Sequence, residues 1–252
     1  MSKLTVIEMV QNILSAMNSD EVSSINDTVE SYQVAEIVRS TYNELIARKN
    51  WPHTRKLIQL EASGDNDKPT HMGAPEVVKE IVEVNYNKKK ITDTREKWEP
   101  VKYLYPDEFL RMTNGYNTDS ADTEEITDYS GVKFLIKTDK APQYYTSFDD
   151  ENFVFDSYDS DIDTTLQATK TQVVAYVFPT FTFSDDFTPD LPIEMFPAFL
   201  AECKSVCFAQ IKQTPDAKSE QQSRRGMNWL SNKSWQIAGG WRFPDYGRSS
   251  KK

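Results

Sequence analysis

Cys203 and Cys207 stand at i and i+4, a spacing that puts two thiolates on one face of a helix. Zinc takes four ligands, and the only histidines, His53 and His71, lie far off in sequence with no partner pattern. Two small apolar side chains in a helix core is the stronger reading, given how often free cysteine is buried. Asp159-Ser160-Asp161-Ile162-Asp163 copies the opening of an EF-hand calcium loop. The copy fails where Thr164 stands for the turn glycine and where Lys170 stands for the closing glutamate. A solvated acidic loop is expected there. His53 follows Trp51-Pro52 at a helix exit, where it serves packing or capping. No Gly-x-Ser-x-Gly elbow, Walker loop or Gly-x-Gly-x-x-Gly turn occurs. With 39 acidic residues, carboxylate pairs discriminate nothing, and a glycosidase needs two of them at a set separation in a cleft. These residues point to no catalytic site, no metal and no cofactor, so the chain reads as a non-enzyme.

Charge is more informative than motif. The net charge is −10, which argues against a nucleic-acid clamp over the whole surface, because such binding draws on cationic contacts to phosphate. Between Asp139 and Glu194 stand twelve acids and only Lys140 and Lys170. Asp149, Asp150, Glu151, Asp159, Asp161 and Asp163 mark a candidate acidic hairpin surface. From Lys204 to Lys252 the balance reverses, with ten bases against three acids. The two regions should therefore prefer different neighbours. An acidic surface facing DNA repels it and lets it slide. At the end, Trp241-Arg242-Phe243-Pro244-Asp245-Tyr246-Gly247-Arg248 interleaves aromatic and basic residues. Interfaces concentrate those types at their energetic centres, and single-stranded nucleic acid can stack on them.

Elements must position these residues. The 252 residues include 13 Phe, 12 Tyr and 5 Trp, too many aromatics for a disordered chain. Counted with Gly in place of Tyr, the apolar share is roughly 37% against a usual 45–50%, which suits a subunit that shares its burial with neighbours. Two cysteines provide no disulfide framework. No run of eighteen apolar residues and no signal-like start is visible, so a soluble protein assembled in a reducing compartment is expected, without a membrane.

Val6, Met9, Val10, Ile13, Leu14 and Met17 form one face of a first helix. A second should start at Asp27 as N-cap with Glu30 as capping-box partner. It should bury Val34, Ile37, Val38, Tyr42, Leu45 and Ile46, and stop before Pro52. Strands are expected at residues 57–62, at Val77–Tyr86, at Val132–Lys137, in a hairpin over Gln143–Tyr158 and at Thr171–Phe183, with a short helix from Pro106. A helix opened by Asp190 and Pro192 and another from Pro215 to Trp235 follow. The expected class is α+β. An N-terminal helix hairpin and a C-terminal helix pair form a helical body (1–52 and 190–238). A mostly antiparallel β-rich insertion (53–189) lies between them, and an extended C-terminal tail (239–252) follows.

Three segments and this order of elements together resemble the tail tubular protein A, or head-to-tail adaptor, family of short-tailed bacteriophages. The first is the helix pair Thr5–Leu14 and Val34–Trp51, which ends in Asn50-Trp51 where the family has Gly-Trp. The second is Tyr105-Pro106-Asp107-Glu108-Phe109, and the third Asp190-Leu191-Pro192-Ile193-Glu194-Met195-Phe196 with the helices after it. The resemblance implies a structural virion protein of the neck, assembled in the host cytoplasm. Twelve copies would form a ring between the portal protein and the tail nozzle protein, with packaged DNA passing the lumen without specific binding. Under it, Trp241, Arg242, Phe243, Tyr246 and Arg248 would dock to the portal, and the acidic segment would contribute to the lumen. Two other functions fit the residues: a protein- or RNA-binding module using the basic C-terminal third, and a tail-associated polysaccharide hydrolase.

Overall fold

The computed structural model describes residues 3–75, 77–90, 92–149 and 151–234. The fold is mixed α+β. In chain order it contains α1 (Val6–Ala16), α2 (Val29–Arg48), β1 (Arg55–Ile58), β2 (Glu61–Ala62), β3 (His71–Gly73), β4 (Val78–Asn87) and β5 (Trp98–Tyr103). Then come α3 (Pro106–Thr113), β6 (Thr123–Thr127), β7 (Lys133–Lys137), β8 (Tyr144–Thr146), β9 (Asn152–Phe155), β10 (Thr171–Val177), α4 (Phe196–Gln210) and α5 (Ala217–Ser234). The chain divides into two compact units, a helical one (Met1–Arg55 and Phe178–Lys252) and a β-rich one (Lys56–Val177).

In the helical unit, Thr5 and Glu8 close a capping box at the start of α1. The face predicted for α1, Val6 to Met17, is buried at every position. The start of α2 differs from expectation. Its N-cap is Thr28, paired with Ser31, because the Asp27 carboxylate is taken by the Ser23 and Ser24 amides at 2.7 and 2.8 Å. Glu30 instead accepts from Ser19 Oγ at 2.8 Å. The predicted buried face of α2 is buried throughout. The helix ends ahead of Pro52, and Trp51 takes the extended conformation that a residue before proline prefers. Its indole Nε1 donates to the Leu45 carbonyl at 2.8 Å, tying the exit back to α2. Pro197 lies in the first turn of α4, where its missing N–H leaves no partner wanting. At the α4–α5 contact Gly226 lies against Ala198, and Ser223 Oγ hydrogen-bonds Glu202.

Residues 178–189, expected in the β-rich insertion, group with the helices instead. Phe181, Phe183 and Phe187 pack on the helical core. The carbonyls of Phe187 and Asp185 accept from Val6 and Ile7 at 2.8 and 3.2 Å, serving amides that the first turn of α1 leaves open. Pro179 stops β10 from running on, and the aromatic run goes to the other unit.

The β-rich unit holds an eight-stranded sheet in the order β1-β10-β4-β5-β8-β9-β3-β2, and β6 pairs with β7 in a separate ribbon. The recorded pairings are antiparallel except β5 with β8. The strands at the two ends of this order, β1 and β2, are joined by only Gln59 and Leu60. Three chain steps span about 10 Å at most, so the sheet curls until its edges approach. Inside lie Leu60, Met72, Phe134, Ile136, Phe153, Phe155 and Val173. Phe109 of α3 packs edge-on against Phe134 at 5.9 Å.

Candidate functional site

The acids singled out in the sequence are scattered by the fold. Asp149, Glu151 and Asp161 face solvent. Asp149 is committed to its own turn, accepting from Asn152 N at 2.8 Å and Asn152 Nδ2 at 2.7 Å. Partial burial alone would raise its carboxyl, but these bonds outweigh that and hold it below the usual range. Asp159 is buried and pairs with Lys90 at 3.5 Å, and Asp163 is half-buried against Lys170. The continuous acidic surface expected over Asp149–Asp163 is therefore interrupted, because Lys90 and Lys170 pair with two of its carboxylates. Lys170, which occupies the closing position of the EF-hand-like stretch, itself supplies that cation. Asp150 lies outside the described residues. The acid excess belongs to the whole unit: Lys56–Val177 carries 24 acids against 14 bases, a net of −10.

Trp241, Arg242, Phe243, Tyr246 and Arg248 also lie outside the described residues. The described part of the basic third ends in α5, which exposes Lys218, Arg224 and Arg225 together with Gln221, Gln222 and Asn228. Arg224 pairs with Glu220 one turn back.

The arrangement nearest to a catalytic one was not legible in sequence. His71 Nε2 sits 3.0 Å from Asp128 Oδ1, and Asp128 Oδ2 accepts from Ser130 Oγ at 2.6 Å. The pairing resembles a base held by its orienting carboxylate. Burial of His71 favours its neutral form and lowers its pKa, with Asp128 opposing. Burial also works to raise Asp128, but the bonds from Ser130 and His71 outweigh it and hold it low. Yet His71 is 1% exposed, its Nδ1 is buried without a partner, and Asp128 is 8% exposed. No hydroxyl or thiol stands in hydrogen-bond reach of Nδ1, and water is shut out. The pair is a clamp: it fixes β3 to the Asp128–Gly131 turn of the β6–β7 ribbon, with Tyr129 edge-on to the imidazole at 5.3 Å. No spacing in the sequence announces a contact across 57 residues.

Cys203 and Cys207 are both fully buried in the helical core, and burial pushes both thiols up, that of Cys207 to about 12. Such thiols supply little thiolate for chemistry. Among the described residues, no three His, Cys, Asp or Glu side chains gather as a metal site. No described helix is long and apolar enough to cross a membrane.

Among the described residues, a sizeable open concavity occurs in each unit. In the helical unit one of about 400 Å³ is lined mainly by Leu4, Phe196, Pro197 and Leu200, with Lys204 and Gln222 at its side. Partial burial lowers the Lys204 pKa. In the β-rich unit one of about 430 Å³ opens on β4 and β5. Ile81, Val82, Glu83, Val84, Val101, Tyr103 and Tyr145 line it. Neither concavity holds the sequence-predicted residues. Compared with protein-family models and with curated proteins, the chain matches neither a family model nor a curated relative.

Proposed function

We propose that this chain is a non-enzymatic virion protein, the subunit of a twelve-membered head-to-tail adaptor ring between a phage portal and the tail nozzle. The observation that carries the reading is the chain's division. The described residues before and after Lys56–Val177 belong to one helical unit, with that segment inserted between them, the plan implied by the resemblance in α1–α2 and α4–α5. The finer arrangement, with an N-terminal hairpin and a C-terminal pair making the ring body, belongs to this proposal. Packing of α4 against both α1 and α2 supports it. The net charge supports the lumen role: an acid-rich inserted unit would repel DNA and let it pass. The partners are then the portal, the nozzle protein, further copies of the chain and the passing DNA, and the place is the neck of the virion.

The decisive experiment is electron microscopy of the particle that co-purifies with a tagged copy from the native source. A twelve-fold ring seated under a portal is expected; a free monomer with no capsid or tail protein beside it overturns the reading. The segment from Gly239 onward is proposed to dock on the portal through Trp241, Arg242, Phe243, Tyr246 and Arg248. A chain truncated after Ala238 should fold with an unchanged circular dichroism spectrum and yet fail to enter particles. Incorporation at the wild-type level would remove the docking role.

A second reading draws on one observation, the donor-rich outer face of α5. A binding module would use Lys218, Arg225 and the neighbouring carboxamides on a polyanion, and its affinity would fall steeply with salt.

A further inference from the structure

We propose that the groove of about 400 Å³ on the helical unit is the seat of the chain's own aromatic segment, with Trp241 and Phe243 lying along α4 and Asp245 reaching Lys204. The inference needs only the helical unit and stands apart from the adaptor reading; docking on a portal would have to draw the segment from this seat. Leu4, Phe196, Pro197, Leu200 and Ala201 make the groove hydrocarbon, and Lys204 and Gln222 are its polar lining. Leu4 and Leu200 are half-buried and Pro197 is exposed, so the described residues leave apolar surface facing water there. An opening of that size accommodates about two aromatic rings.

Its place favours a tethered occupant. Gly226 lies against Ala198 and Ser223 Oγ meets Glu202, so α5 runs antiparallel to α4 and leaves past the Phe196 end of the groove. Ser234 stands eight residues beyond Gly226, about 12 Å further along the axis. The seven steps from Ser234 to Trp241 span up to about 25 Å, enough to turn back and regain Phe196. Gly239-Gly240 stand immediately before Trp241, and glycine accepts the backbone angles of a tight reversal. A short tether presents the segment at about millimolar local concentration, so modest contacts suffice to seat it.

Spacing and charge then set the register. Phe196, Leu200 and Lys204 recur every four residues, so they follow one face of α4 over about 12 Å. In an extended chain every second side chain points the same way, and Trp241, Phe243 and Asp245 span about 13 Å. Pro244 favours that extended form at Phe243. Entered from the Phe196 end, the groove and the segment match in order: Trp241 meets Phe196 and Leu4, Phe243 meets Leu200, and Asp245 meets Lys204. Asp245 is the one acid of the sequence from Gly239 onward, and Lys204 is the charged residue of the lining. Arg242 alternates away from the hydrocarbon floor, as its charge requires.

The test uses the full chain with a nitroxide attached at Tyr246→Cys and reads proton–nitrogen correlation spectra. Cys203 and Cys207 are buried and do not compete for the label. Amides of residues 200–204 and of Gln222 should lose most of their intensity and recover it when the nitroxide is reduced. Adding Trp241→Ser and Phe243→Ser to the labelled chain should also restore them, while unchanged amide positions in β4 and β10 establish that the variant is folded. Isotope-labelled chain without nitroxide, mixed with nitroxide-bearing chain at natural abundance, should keep these amides sharp. Loss seen only in the mixed sample would assign the groove to a second copy and overturn the proposal. So would an absence of loss along α4, or a loss that survives the double substitution.

Discussion

The helical unit carries 15 acids and 15 bases, whereas the β-rich unit carries 24 acids against 14 bases. What each buries differs in the same direction. Among the described residues, the buried polar side chains of the helical unit are hydroxyls: Ser31, Thr41, Thr54, Ser219 and Ser223. The β-rich unit buries His71, Asn87, Asp128, Asp156 and Asp159 among others. The reason lies in the backbone. A helix satisfies its own amides internally, so its side chains are free to pack. Short strands joined by long connections leave amides at every turn, and buried polar side chains must serve them. Asp156 Oδ1 shows this directly, accepting from the Gln143 and Tyr144 amides at 2.9 Å each where β8 begins. One unit is held by apolar packing, and the other by packing together with specific buried polar links.

The sharpest way to break that contrast is to hollow out the apolar unit alone. Phe199 is fully buried and meets Tyr42 edge-on at 6.2 Å. Phe199→Ala should cost about 3–5 kcal/mol through lost transfer energy and the cavity left behind. Hydrogen exchange is the measurement of choice: protection should fall over α1, α2 and α4 while the amides of β4, β5 and β10 keep theirs. Equal loss in both units would end the separation of their stabilities.

Next in size is the response to acid. His53 lies between α2 and β1, with Nε2 buried and unpartnered. Burial lowers its pKa from 6.5 to about 4, with Asp190 opposing and Lys3 assisting. The unfolded chain therefore takes up a proton from pH 6.5 downward while the native chain resists until about pH 4. The contribution is complete above pH 6.5 and is lost as pH falls through that window, about 3 kcal/mol in all. His53→Leu should remove this share of the acid slope from denaturant midpoints taken between pH 7 and pH 4. His71 and Asp128, both lowered, give the β-rich unit a slope of the same sign. The variant should therefore flatten the slope of the helical unit only. An unaltered slope there would refute the assignment to His53.

Legibility from sequence follows the same division. The faces of α1 and α2 were readable residue by residue because one helix face repeats within a short window, and local rules suffice. The strands at Val78–Asn87 and Lys133–Lys137 were readable through their β-branched and aromatic residues. β3, β5 and β6 were not. β6 reads Thr-Glu-Glu-Ile-Thr, with one buried apolar side chain, Ile126. β5 contains Pro100, which argues against an inner strand. The structure accommodates it because β8 pairs only with Lys102 and Tyr103, so no ladder bond is asked of Pro100 on that side. As for the sites, charge runs were visible, but Lys90, which pairs with Asp159, sits 69 residues away from it in sequence, and the pairing of Lys170 with Asp163 needs the loop to fold back. The irregularity that leaves Val82 of β4 without a partner on β10, between the pairs Glu83–Val174 and Ile81–Ala175, and the clamp at His71 exist only through register, which no single segment encodes.

Two glycines give the smallest and most direct test of the contrast. Gly226 sits inside α5, where alanine would ordinarily stabilise by about 1 kcal/mol. A Cβ there would stand 2.6 Å from Ala198 Cβ, so α4 and α5 must part. Overpacking of this kind costs about 1–3 kcal/mol and should outweigh the gain, leaving Gly226→Ala destabilised by about 1 kcal/mol. Ala198→Gly in the same chain should restore most of the loss, since the obstacle is one methyl group. Gly131 is the opposite case. Its φ is +83° and nothing lies within 4 Å of its would-be Cβ, so Gly131→Ala strains the backbone without a clash. The cost should again be about 1 kcal/mol, but from conformation alone. No neighbouring substitution should relieve it, whereas Gly131→Asn should cost less, because asparagine tolerates the left-handed region. Thermal melts of the four variants decide the matter. Rescue of Gly226→Ala by Ala198→Gly, with alanine worse than asparagine at Gly131, locates one constraint in packing and the other in the chain.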